Sequence, residues 1–129
     1  MDYTLNNKLL EKIIESEIKS CVPNISEENK ELLRLEFRKR LNLYKSYTTK
    51  SKTFWSRYNA YLQSKEWREF RQTVFKRDSG KCLLCGEKAN HVHHVSYGFF
   101  IKYGNSKRLE CASLCKSCHE KIHQRTIGR

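Results

Sequence analysis

Two CxxC pairs, Cys82-Leu83-Leu84-Cys85 and Cys115-Lys116-Ser117-Cys118, constrain this chain more than anything else in it. Each pair can turn two thiolates onto one ion, and two pairs together complete a tetrahedral zinc site. A redox or disulfide role needs only one such pair, so a structural Zn2+ held by Cys82, Cys85, Cys115 and Cys118 is the expectation. A core confined to the last fifty or so residues would be too small to stand without a staple of that kind. Between the pairs lie 29 residues, and the inserted segment carries His91, His93 and His94. Cys21 and Cys111 belong to neither pair and read as small buried hydrophobes.

The chain shows no apolar signal segment at its start and no run of roughly 18 apolar residues, which points to a reduced, cytoplasmic protein without a membrane partner. Its formal charge is +12 over 129 residues, unevenly placed. Residues 1–33 carry a net −3, residues 34–81 a net +10 and residues 82–129 a net +5. Excess lysine alone is often just a solvated face, but here the basic half adjoins the candidate metal cluster, and a nucleic-acid partner follows as an expectation.

Leu5, Leu9, Leu10, Ile13, Ile14 and Ile18 recur at helical spacing before Pro23, predicting an amphipathic helix from about Thr4 to Cys21. Ser26 followed by Glu27 and Glu28 suits the start of a second helix, to about Tyr47. Its leucines cover a wide arc, which suggests packing against the first helix and against a second copy of the chain. Residues 48–53 read as a short polar linker. A short helix from Phe54 and a longer one from Lys65 to Arg77, capped by Ser64, follow. Trp67, Phe70 and Val74 share a face of the latter and are read as core, while Arg68, Arg71 and Arg77 point elsewhere as candidates for phosphate contact.

His119 and His123 are four apart in what should be the helix leaving the second CxxC pair, so their rings share a face and can chelate one ion. In an extended HVHHV segment His93 and His94 turn to opposite sides, so both cannot grip that ion. One would ligate and the other would be free to take a proton. Phosphodiester hydrolysis needs that division between a metal that neutralises charge and a base that activates water. His91 reads as a partly exposed strand residue.

Taken in order, YLQSKEWREFRQTVFKRDSGKCLLCG, VHH and LCKSCHEKIH, spanning Tyr61 to His123, resemble the HNH endonucleases, whose ββα-metal site is often stapled by a zinc ribbon of two CxxC pairs. The resemblance implies that His94 is the general base and that His93, His119 and His123 hold a catalytic divalent cation. Glu110 stands where the family has an asparagine that helps position the base. A carboxylate there could accept a ring N–H bond and raise the basicity of His94; Asn105 could substitute only in a shifted loop. Three imidazoles without a carboxylate suit Mn2+, Ni2+, Co2+ or Zn2+ at least as well as Mg2+. Arg108, Lys102 and Arg125 are within sequence reach for charge stabilisation.

The expectation is therefore an α+β protein with a helical region at residues 1–53, serving as an oligomerisation or DNA-binding arm, and an HNH nuclease domain at residues 54–129. Its partner would be DNA, bound in part by Arg68, Arg71, Arg77 and Arg108, with a homodimer through the N-terminal helices. The competing expectation is a zinc-stabilised DNA- or RNA-binding module without catalysis.

Overall fold

The structure, a computed structural model, describes the backbone of residues 3–126 and the side chains of residues 5–123, so the Arg125 side chain falls outside the described residues. The elements run α1 (Tyr3–Cys21), α2 (Glu27–Ser46), α3 (Phe54–Leu62), α4 (Lys65–Arg77), β1 (His91–His94), α5 (Gly98–Tyr103), a 3-10 turn (Arg108–Glu110), β2 (Cys111–Leu114) and α6 (Lys116–Thr126). β1 and β2 form one antiparallel pair, His91 facing Leu114 and His94 facing Cys111. The architecture is thus an α+β mix, mostly helical. No helix among the described residues is long and apolar enough to cross a membrane.

Local chemistry accounts for the helix boundaries. The Ser26 hydroxyl accepts the Asn29 N–H at the start of α2, and the Ser64 hydroxyl accepts that of Trp67 at the start of α4. Each satisfies a donor that has no carbonyl partner in the first turn. Pro23 lies just beyond α1, where its missing N–H and locked φ would not let the helix continue.

The N-terminal helices share a hydrophobic core with the rest of the chain. Leu9, Leu10, Ile13, Ile14 and Ile18 of α1 pack in one core with Phe37 and Leu41 of α2, Leu109, Ala112 and Leu114 around β2, Ile122 of α6, and Cys82 and Cys118. Full burial of five such aliphatic side chains is worth roughly 8–15 kcal/mol, comparable with the net stability of an ordinary domain. The expected boundary at residues 53 and 54 therefore does not divide the hydrophobic core. The outer face of α2 stays open: Leu32, Leu35 and Leu43 are each more than half exposed.

A polar seam crosses the same interface and corrects the reading of Arg77. Its side chain is 1 % exposed. The guanidinium donates to Asp78 at 2.8 and 3.0 Å, to Glu17 of α1 at 3.4 Å, and to the carbonyls of Arg108 and Cys111 at 2.7 and 2.8 Å. Asp78 in turn accepts the Ser113 N–H at 3.0 Å. With its donors consumed inside the fold, Arg77 is an internal strut and not a phosphate contact. Arg108 donates Nη2 and Nε to the Glu17 carboxylate at 2.9 and 3.2 Å, with its side chain 41 % exposed.

Gly98 opens α5 against the backbone of α2. A Cβ there would overlap the Tyr44 carbonyl, so only glycine lets the two elements approach. A second, aromatic cluster of Phe54, Tyr58 and Phe100, with Tyr61, Leu62 and Tyr97 around it, joins α3 to α5. It forms one wall of the cavity described next.

Candidate metal centre and active-site cavity

The two CxxC pairs meet in space. The Sγ atoms of Cys82, Cys85, Cys115 and Cys118 all lie within 4.8 Å of one another, with Cys85 and Cys115 at 3.6 Å. A tetrahedral zinc with bonds of about 2.3 Å places its sulfurs about 3.8 Å apart, so the cluster fits that ion. Folding brings the first pair in as a tight turn: the Cys82 N–H donates to the Glu87 carbonyl at 2.7 Å, and the Gly86 N–H to that of Cys82 at 2.9 Å. Gly86 takes a left-handed φ of +81° to close it. Cys115 follows β2 and Cys118 sits in the first turn of α6.

The thiols are tuned unequally. Burial would raise Cys82, but N–H groups of Cys115, Cys85 and Leu84 outweigh it and bring the thiol down to about 7. Cys118 is pushed up, by burial first and then by its neighbouring thiols. Four thiolates at this separation need a cation to coexist. Of the remaining cysteines, Cys111 is fully buried as expected, whereas Cys21 is exposed and donates its thiol proton to Glu17 at 3.3 Å.

A second group forms from β1 and α6. One ring nitrogen from each of His93, His119 and His123 lies within 4.8 Å of the others, and the Nε2 atoms of His119 and His123 are 2.9 Å apart. β1 presents His93 to α6, and the helical repeat supplies the other two from successive turns. These three residues could hold a metal ion. Burial, with the neighbouring imidazoles adding, lowers His93 to about 3 and His119 to about 4, so both are neutral and their lone pairs available near pH 7. His91 is half-buried with its ring 5.0 Å from that of His119.

His94 turns to the opposite face of β1 and is enclosed. Its ring stacks on Trp67 at 5.1 Å and on Tyr97 at 5.7 Å. Tyr58 Oη lies 2.7 Å from Nδ1, and Ser106 Oγ 2.9 Å from Nε2. Tyr61 donates its own hydroxyl to Ser106 at 2.9 Å. The roles in the two bonds of His94 follow the tautomer: with the ring proton on Nε2, Nδ1 accepts the Tyr58 hydroxyl and Nε2–H donates to Ser106; with it on Nδ1, the directions reverse. Burial alone lowers His94 to about 4.

Glu110 does not reach His94, which corrects the expected contact. Its carboxylate accepts the Gly98 and Phe99 N–H groups, each at 3.0 Å, and the Ser96 hydroxyl. It lies at the base of β2 facing the turn into α5, where backbone donors are otherwise unmatched. Burial raises its pKa against those three bonds. The turn it holds includes Tyr97, so its effect on His94 passes through a stacking ring. Asn105 is exposed, and its neighbour Ser106 makes the contact instead. Sequence reasoning missed Tyr58 and Ser106, 36 and 12 residues from His94 in the chain, because no local spacing signals such partners.

His93, His94, His119 and His123 line one cavity of about 450 Å3 together with Arg71, Trp67 and the aromatic wall of Trp55, Tyr58 and Tyr97. Arg71 lies over the Phe75 ring at 5.1 Å and donates Nη2 to the Asn90 carbonyl at 3.2 Å, while its buried Nε has no hydrogen-bond partner. Arg68 is exposed and donates to the Gln63 carbonyl at 3.0 Å. Lys102 lies over the Tyr47 ring at 4.4 Å, away from the cavity lining. Comparison of the chain with protein-family models, with curated proteins and with solved structures found no match.

Proposed function

We propose that this protein is a metal-dependent endonuclease of the HNH kind that hydrolyses DNA phosphodiester bonds, with Cys82, Cys85, Cys115 and Cys118 holding a structural zinc. The observation that carries the reading is the single cavity lined by a three-imidazole group and by a fourth, separately held histidine. A binding module has no chemical need for both.

His93, His119 and His123 would hold the catalytic ion, for which Mn2+, Ni2+, Zn2+ and Mg2+ are the candidates. When bound, it supplies charge neutralisation to the phosphate and the leaving oxygen. Arg71 lines the same cavity and is the cation best placed to bind a phosphate oxygen; Arg68 is the further candidate for DNA contact. His94 takes the proton from the attacking water. In the tautomer with the ring proton on Nε2, Nδ1 accepts the Tyr58 hydroxyl and the proton moves by relay: water to Tyr58 Oη, and the Tyr58 proton to Nδ1. Glu110 fixes the turn that carries Tyr97 against the His94 ring.

The test is conversion of supercoiled plasmid to nicked or linear form by purified protein with each metal in turn, beside His94→Ala. Metal-dependent cleavage by the wild type and none by the variant is expected. No cleavage with any metal would sink the proposal. The second reading, a zinc-stabilised nucleic-acid-binding module, draws on one observation of its own: both nitrogens of His94 are already satisfied inside the fold. It predicts a protein that retards DNA in a gel and cuts none.

The homodimer remains part of the proposal, with the exposed Leu32, Leu35 and Leu43 of α2 as its surface. Light scattering that gave a monomer would remove it.

A further inference from the structure

The cavity has two chemically different walls. One bears the imidazole triad and Arg71; the other is aromatic, built by Trp55, Tyr58 and Tyr97. Trp55 is unlike the other tryptophan of the chain: Trp67 is 7 % exposed, Trp55 55 %. Core packing therefore explains Trp67 and leaves Trp55 unexplained. Edge-on contacts with Phe54, Tyr58 and Tyr97, at ring separations of 4.8, 6.1 and 5.9 Å, fix the indole at the mouth of the cavity. Lys50 places its ammonium 4.9 Å from the Trp55 ring and 5.3 Å from that of Tyr97. A flat ring, a neighbouring cation and the Arg71 guanidinium in the same cavity are the parts that single-stranded nucleic-acid sites combine.

We infer that Trp55, with Lys50 beside it, is a nucleobase-stacking subsite, and that the unit bound in the cavity is an unpaired nucleotide of single-stranded or locally opened DNA. The base stacks on the indole while its phosphate faces Arg71 and the triad. Within a continuous duplex the base faces are stacked on one another and cannot meet a side chain unless the nucleotide is extruded. The volume of about 450 Å3 falls at the size of small-ligand clefts, not of a double helix. Charge agrees, with a net +12 over the chain and +10 of it in the stretch that includes Lys50, Trp55 and Arg71. This inference rests on the nuclease reading only for the role of the phosphate; the stacking subsite stands on the wall itself.

The experiment is equilibrium binding by fluorescence anisotropy, using the full zinc-loaded chain without added catalytic metal. The probes are a short labelled single-stranded oligodeoxynucleotide and the same strand annealed into a duplex. Base stacking on one aromatic side chain is worth roughly 5- to 150-fold in affinity, so Trp55→Ala should weaken single-strand binding by about fivefold or more and change duplex binding by less than about twofold. Trp55→Phe, which keeps a ring, should recover most of the loss. Equal weakening on both probes, or none on the single strand, overturns the inference.

A second measurement needs no variant. A single 2-aminopurine in the strand should lose emission when the wild type binds it unpaired and keep it when bound as duplex; unchanged emission in both contradicts stacking. Neither readout involves cleavage. A negative result here leaves the nuclease reading standing, and absent plasmid cleavage beside a positive result removes that reading alone.

Discussion

The four-cysteine and three-histidine groups could each hold a metal ion, yet they are embedded differently. Cys82 and Cys118 belong to the same hydrophobic core as α1, β2 and α6, so the thiol cluster is continuous with what holds the molecule together. The imidazole group lines a cavity instead. What differs is the consequence of losing each. Removing a sulfur should undo packing on every side of it, whereas removing an imidazole should empty a site and leave the scaffold standing.

The sharpest break of that contrast is Cys82→Ser. Structural zinc sites supply about 10–16 kcal/mol of binding free energy, which equals or exceeds the roughly 5–15 kcal/mol of a whole domain. The variant should show no cooperative melt by circular dichroism. A stable, folded Cys82→Ser protein would mean that the core does not depend on the ion.

Next in size is Arg77→Met, which tests whether the N-terminal helices are integral. It strands Asp78 and part of the charge of Glu17 in a dry seam, and breaking one side of a buried pair costs about 3–5 kcal/mol. Urea denaturation should show a midpoint shift of that magnitude in a single transition. Two transitions, with only one displaced, would restore a separable arm.

Acid should weaken the fold next, through the buried histidines. His94 is held at about 4 in the native state against 6.5 when exposed, so below pH 6.5 the unfolded chain takes up a proton that the native chain refuses. Stability is therefore lost progressively as pH falls from 6.5 to about 4, by about 3 kcal/mol at the limit for this one residue. Chemical denaturation of metal-free imidazole-site protein at a series of pH values reads the slope. His94→Gln should reduce it by this residue's share and leave the shares of His93 and His119; an unchanged slope would show that His94 is not buried neutral.

Tyr58→Phe should have the smallest effect on folding, about 1–2 kcal/mol for one hydrogen bond and the buried nitrogen it leaves unsatisfied. Under the proposed relay its effect on rate should be larger, lowering kcat with KM little changed. A change confined to KM would contradict the relay.

Local patterns made much of this legible. The CxxC spacing, the four-residue step from His119 to His123 and the alternation of His93 with His94 each depend on a few consecutive residues, and each is realised in the geometry. The capping serines were readable for the same reason. What escaped depends on contacts distant in the chain. Arg77 looks like a free cation on an amphipathic helix until Glu17, 60 residues earlier, is folded against it. Glu110 occupies the position expected of a residue that orients His94, but the donors nearest its carboxylate belong to the turn into α5. α5 itself, a six-residue helix, carries too few positions to show a periodicity.

The most direct test of the division between the two clusters is metal content measured beside folding and cleavage, for the wild type and His119→Ala supplied with Zn2+ and Mn2+. The account predicts two metal ions per wild-type chain and one in the variant, with the variant melting cooperatively near the wild-type temperature and cutting no DNA. A wild type that binds a single ion and still cleaves, or a His119→Ala chain that unfolds, would contradict it.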